Sequence, residues 1–131
     1  GWKATQDGVL LRLANRLVES KFPHHAPLAV ARLVAQHCPG LTTMVRCICS
    51  AAWDSFRIQS RPPQASDFAD AFHAIYAPYV SIFRADSYMT PHVTKHVKGR
   101  QTRVVGKLKD LPRQIREVIG QGESEGDYRD A

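Results

Sequence analysis

Proline decides where helices can run in the first eighty residues of this chain. A proline inside a helix removes a backbone hydrogen bond and its ring collides with the preceding turn, so Pro23, Pro39, the pair Pro62-Pro63 and Pro78 mark boundaries. Between them apolar residues recur at helical spacing. Residues 5–21 place Val9, Leu10, Leu13, Leu17 and Val18 on one face with Arg12, Arg16 and Glu19 opposite, an amphipathic helix that Pro23 ends. Residues 26–37 form a second, with Pro27 tolerated in its first turn and Pro39-Gly40 as its stop. Thr42 or Thr43 caps a third, running to about Gln59 through Met44, Val45, Ile48, Trp53 and Phe56 until Arg61-Pro62-Pro63 breaks it. Ser66 is the natural cap for a fourth over residues 67–76, which Pro78 ends.

The pattern changes after Pro78. Tyr79-Val-Ser-Ile-Phe-Arg84 is rich in β-branched and aromatic residues and reads as a strand. A short helix over 87–98 follows, with Pro91 near its start and Gly99 at its close; Thr102-Arg-Val-Val105 is a second strand and Leu111–Ile119 a last amphipathic helix. A strand, a helical crossover and another strand predict a parallel pair. The expected fold class is therefore α/β and mostly helical: three N-terminal helices, then a helix-strand-helix-strand-helix unit with a short parallel sheet. No repeat or linker divides residues 1–119, which read as a single globular domain; 120–131, rich in Gly, Glu and Asp, reads as a disordered acidic tail.

At 131 residues and 44% hydrophobic content, one domain can bury a core without staples. Cys38, Cys47 and Cys49 are odd in number and lack Cys-x-x-Cys spacing, so they read as buried thiols of a reducing compartment. No run of about 18 apolar residues and no secretory signal pattern is present, which predicts a soluble, cytoplasmic protein without membrane contact.

Charge is segregated along the chain. The net is +5 over residues 1–66, −2 over 67–94, +7 over 95–116 and −4 over 117–131. Basic ground flanks an acidic island, and basic surface attracts phosphate. The plainer account is that these Lys and Arg residues solvate helix faces. Within the island, Asp67, Asp70 and His73 are spaced i, i+3, i+6, and Asp86 follows the strand that could aim it at the same place. Hard cations such as Mg²⁺ favour carboxylate oxygens so gathered. Each residue also has a structural account: Asp67 complements the helix dipole, Asp70 pairs with a basic side chain, Asp86 caps the helix after it, and His73 is hydrogen-bonded in the core. His92 and His96 are four residues apart, but no glutamate completes a zinc motif between them, and the Trp and Tyr residues read as packing.

With these elements placed, Asp67 to about Val105 resembles the carboxyl-terminal half of PIN-like (Rossmann-like) nuclease domains. The residues that carry it are the helix acids Asp67 and Asp70 in an Asp-x-x-His phrase with His73, the Pro78-Tyr79 after it, and the strand ending in Phe83-Arg-Ala-Asp86. The resemblance implies metal-dependent phosphodiester hydrolysis of RNA or DNA, with Mg²⁺ or Mn²⁺ on Asp67, Asp70 and Asp86, and His73 orienting a ligand or a phosphate. It also implies that Arg84, Lys95, Lys98, Arg100 and Arg103 hold the nucleic-acid backbone. The family's opening strand ending in Asp has no counterpart in residues 1–66. The chain is therefore expected to be a fragment supplying about half of the site, weak or inactive alone, with a longer parent chain or a partner completing it. Two alternatives come from other classes: a non-catalytic basic nucleic-acid-binding module, and a helical protein-interaction domain of toxin or antitoxin type, such as a homodimer.

Overall fold

One helix organises most of the molecule, with other elements packed on two of its sides and the last helix packed on the strands. The computed structural model of the protein describes residues 2–19, 33–34, 36–57, 61–62 and 64–126. In chain order these form α1 (Trp2–Glu19), α2 (Pro39–Arg57), α3 (Ala65–His73), a 3₁₀ turn (Ala77–Tyr79), β1 (Ile82–Arg84), α4 (Met89–His96), β2 (Arg103–Val105), a second 3₁₀ turn (Leu108–Asp110) and α5 (Leu111–Gly126). Most of the helix expected over 26–37 lies outside the described residues; 33–34 and 36–37 are helical. None of the described helices is long and apolar enough to cross a membrane.

The central helix is α2. On one side Met44, Val45 and Cys49 bury against Leu10 of α1. On the other, Cys47 and Ala51 join Ala71 and Ala74, Ala77, Ala85, and the α4 residues Met89 and Val93 with Val97 beyond them. Proline placement refines one boundary: residues 36–37 are helical and Cys38 is not, so the segment stops before Pro39-Gly40 as expected, and Pro39 also opens α2, because Pro suits a first helical position where no backbone N–H is needed. The Thr42 N–H already bonds the Cys38 carbonyl at 3.1 Å. Leu13, Trp53 and Phe56, expected on buried faces, are exposed, and Cys38 is exposed while Cys47 and Cys49 are buried.

Gly40 is where α2 meets the turn after α3. A Cβ there would lie 2.4 Å from the Ile75 carbonyl oxygen and 2.8 Å from the Tyr79 ring, and the Gly40 N–H donates to the Tyr79 hydroxyl at 3.2 Å. Backbone cannot swing aside as a flexible side chain can. Gly40→Ala should therefore lower unfolding stability by about 1–3 kcal/mol in urea titration; an unchanged midpoint would mean that the crossing is looser than drawn.

The expected helix over 67–76 is shorter at its carboxyl end. Beyond His73 the backbone tightens into i−3 bonds, from Ile75 to Phe72, Tyr76 to His73 and Ala77 to Ala74, as the chain approaches Pro78. That turn takes Tyr79 out of the expected strand, which starts only at Ile82. The parallel pairing itself is present, with Ile82 opposite Arg103, Phe83 opposite Val104 and Arg84 opposite Val105, and α4 as the crossover. Gly99, at φ 87°, turns the chain out of α4. Phe83 and Val104 pack on the Met89 cluster. Alternation sends Ile82 and Arg103 to the opposite face, where Arg103 reaches the α5 residues Gln114 at 3.3 Å, Glu117 at 2.7 Å and Gln121 at 2.8 Å. α5 itself continues to Gly126, past Gly120, where the tail was expected to begin.

Candidate nucleic-acid interface

The three carboxylates of the acidic island go to different partners. Asp67 is the third residue of α3 and accepts the Gln64 backbone N–H at 2.8 Å, so Gln64, not Ser66, precedes the helix as its cap. Both Asp67 oxygens also take the Arg61 guanidinium, at 2.9 and 2.5 Å. Arg61 holds this carboxyl below the usual range, chiefly through that hydrogen bond, and the pairing raises Arg61 in turn. The guanidinium carbon lies 3.9 Å from the centre of the Tyr88 ring, and Asp86 adds its field from nearby. A side-chain cation thus occupies ground between two of the acids.

Asp86 caps α4. Its Oδ1 accepts the Met89 N–H at 2.6 Å, and its carbonyl accepts the Thr90 N–H at 3.0 Å and the Thr90 hydroxyl at 2.5 Å. Asp70 is half-buried and His73 exposed, and neither side chain has a hydrogen-bond or ion-pair partner among the described residues. No three His, Cys, Asp or Glu side chains among the described residues gather closely enough to share a metal ion. The expected set of Asp67, Asp70 and Asp86 is not brought together, because Arg61 and the first turn of α4 compete for two of its members.

Sequence reasoning missed a polar cluster at the α2–α4 contact. The Ser50 hydroxyl lies 2.7 Å from His96 Nε2 and takes the Gln6 amide at 3.4 Å. Tyr88 reaches the Ser55 hydroxyl at 3.1 Å and donates to the Ala51 carbonyl at 3.2 Å. Burial drives His96 down to about 4, with Lys95, Arg46 and His92 adding repulsion, and burial lowers His92 as well. Burial thus disfavours the charged form of both imidazoles, opposed at His92 by Asp54, whose carboxylate lies 3.9 Å from Nε2. The available signal was their i, i+4 spacing beside Val93 and Val97, which puts them on the packed side of α4. Burial also pushes the Cys47 thiol up to about 12, which removes it as a nucleophile.

The basic residues divide differently. Arg103, expected on a phosphate, is engaged at the surface by Gln114, Glu117 and Gln121 of α5. Arg84, Lys95, Lys98, Arg100, Lys107, Lys109, Arg113 and Arg116 are all exposed, and among the described residues none has an ion-pair partner. A groove of about 540 Å³ runs along α4, with Ser87, Thr90, Pro91, Thr94 and Lys95 on one wall and Gly106 and Lys107 on the other. Gly106 permits that approach, since a Cβ would stand 2.7 Å from the Thr90 hydroxyl. The groove surface itself is mostly apolar and the Thr90 hydroxyl is spent on the Asp86 carbonyl, so it is the Lys95 and Lys107 ammonium groups at its border that can take phosphate oxygens. On α3, Phe68 and Phe72 face solvent with ring centroids 4.8 Å apart.

Comparison of this chain with protein-family models, curated proteins and solved structures gives no match.

Proposed function

We propose that this chain binds nucleic acid through the basic face formed by α4, the end of β2 and the start of α5. The observation that carries the reading is the set of exposed cations without an ion-pair partner among the described residues, Lys95, Lys98, Arg100, Lys107, Lys109, Arg113 and Arg116, of which Lys95 and Lys107 border one open groove. A nucleic acid carries condensed counterions, and unpaired Lys and Arg that neutralise its phosphates release them, which drives binding. Arg84, Lys95, Lys98 and Arg100 would contact the backbone; Arg103 would instead hold α5 in place. Hydrolysis is not part of this reading. Asp67 is committed to Arg61 and Asp86 to the α4 cap, so a Mg²⁺ or Mn²⁺ centre would need carboxylates from outside the described residues.

The test is affinity as a function of salt. Fluorescence anisotropy with a labelled RNA or DNA oligonucleotide should show log affinity falling linearly with log salt, and Lys95→Gln with Lys107→Gln should flatten the slope by roughly 1 to 2. Binding that ignores salt, or a double variant with the wild-type slope, would remove the groove from the interface.

A further inference from the structure

A second opening lies at the other end of the strands. Pro78, Tyr79, Val80 and Ser81 form one side of a cleft of about 170 Å³, and Gln101 and Thr102 the other. Tyr79 is 63% exposed, unusual for an aromatic residue at the edge of a packed turn. It is nonetheless held, because its hydroxyl accepts the Gly40 N–H and its ring edge lies against Gly40, where any side chain would collide. A ring both fixed and open on its face is a preorganised stacking platform. Opposite it, the Gln101 amide and the Ser81 hydroxyl are exposed and, among the described residues, have no partner. Thr102 donates to the Ala77 carbonyl at 2.8 Å and keeps its acceptor capacity.

The geometry points to this cleft as the seat of one unpaired base of a single-stranded nucleic acid, stacked on Tyr79 and hydrogen-bonded by Gln101 and Ser81. The inference rests on the nucleic-acid reading of the basic face and names its substrate class. Lys98 follows Lys95 by three residues, and Arg100 immediately precedes Gln101, so cations lead by chain continuity from the groove to the cleft, with no acid between Asp86 and Asp110. In a duplex each base face is covered by its neighbours, whereas an unpaired base offers its face and its Watson–Crick edge together.

Anisotropy at one fixed salt concentration should compare a single strand with its own duplex, for wild type and for Tyr79→Leu, Tyr79→Phe and Gln101→Ala. The single strand should bind about ten-fold tighter than the duplex; Tyr79→Leu should remove that difference by weakening the single strand alone, and Tyr79→Phe should preserve it. Both Tyr79 variants lose the bond to Gly40, so a merely structural effect would appear in both. Gln101→Ala, at an exposed site, should weaken the single strand several-fold. An oligonucleotide carrying iodouracil should crosslink wild-type protein within residues 78–81 or 100–102 on irradiation, which needs no variant to fold. Equal single-strand and duplex affinity together with an unaffected Tyr79→Leu overturns the cleft alone if Lys95→Gln with Lys107→Gln still weakens both. Absence of salt-sensitive binding to either form overturns the basic-face reading, and the cleft with it.

Discussion

Acidification from pH 6.5 to 4 should cost this protein about 3 kcal/mol of folding stability, most of it from His96. In the folded chain His96 sits beside Ser50 at the α2–α4 contact with its pKa lowered to about 4 by burial, while an unfolded chain titrates near 6.5. Between those values the unfolded state holds more protons than the folded one. Stability therefore rises with pH across the window, and is lost as pH falls through it at up to about 1.4 kcal/mol per unit. Below about 4 both states carry the proton and His96 contributes no further loss. His92 is shifted in the same direction by the same cause and steepens the fall. Asp67 acts in a lower window: Arg61 depresses its pKa, so the stability of that pair is present above the unfolded carboxyl value and disappears only at more acid pH. Urea titrations at half-unit intervals would trace the curve. His96→Asn keeps a polar group for Ser50 and removes the titration, so it should flatten the slope between pH 6.5 and 4; a variant as pH-sensitive as wild type would show that other groups set it.

Met89→Ala should be the most damaging single truncation, at about 2–5 kcal/mol. Met89 is fully buried, and the buried members of its cluster are small, Cys47, Ala51, Ala71, Ala74, Ala77 and Ala85 with Val93 and Val97, while Ile48, Phe83, Tyr88 and Val104 pack against them from outside. The alanines carry no flexible side chain to swing into a vacated space, so any relaxation would have to come from Ile48, Phe83, Tyr88 or Val104 at the cluster's edge. A domain of ordinary stability, about 5–15 kcal/mol, would be left near the edge of folding. Met89→Leu preserves volume and should cost under about 1.5 kcal/mol. Equal losses for the Ala and Leu variants in urea titration would mean that volume at this position is not what matters.

Several features could be read without coordinates because their causes are local. Pro78 follows the end of α3 at His73 by a short 3₁₀ turn, since a missing N–H and a ring clash act within about one turn. The parallel pair joined by α4 follows from two β-rich segments separated by a helix-length insert. Asp86 as a helix cap was legible as well, as the plainer account of a carboxylate three residues before Met89. Local rules failed where a distant residue intervened. Tyr79 has strand character, but Gly40, thirty-nine residues away, takes its hydroxyl and the chain turns instead. Arg103 looked like unpaired surface charge, but strand alternation faces it to α5, where Glu117 takes it.

The acidic island shows the division most plainly. Its sequence by itself determined that Asp67 would stand in the first turn of a helix and Asp86 just ahead of another, because dipoles and orphan N–H groups attract carboxylates within a few residues. Only the tertiary structure decided what else those carboxylates would meet. Arg61 stacks on Tyr88, and Tyr88 stands where α4 packs on α2, so the cation beside Asp67 and Asp86 comes from contacts far apart in the chain. Capping acts through neighbours along the backbone, whereas the partner of a charge is set by whichever elements pack against it.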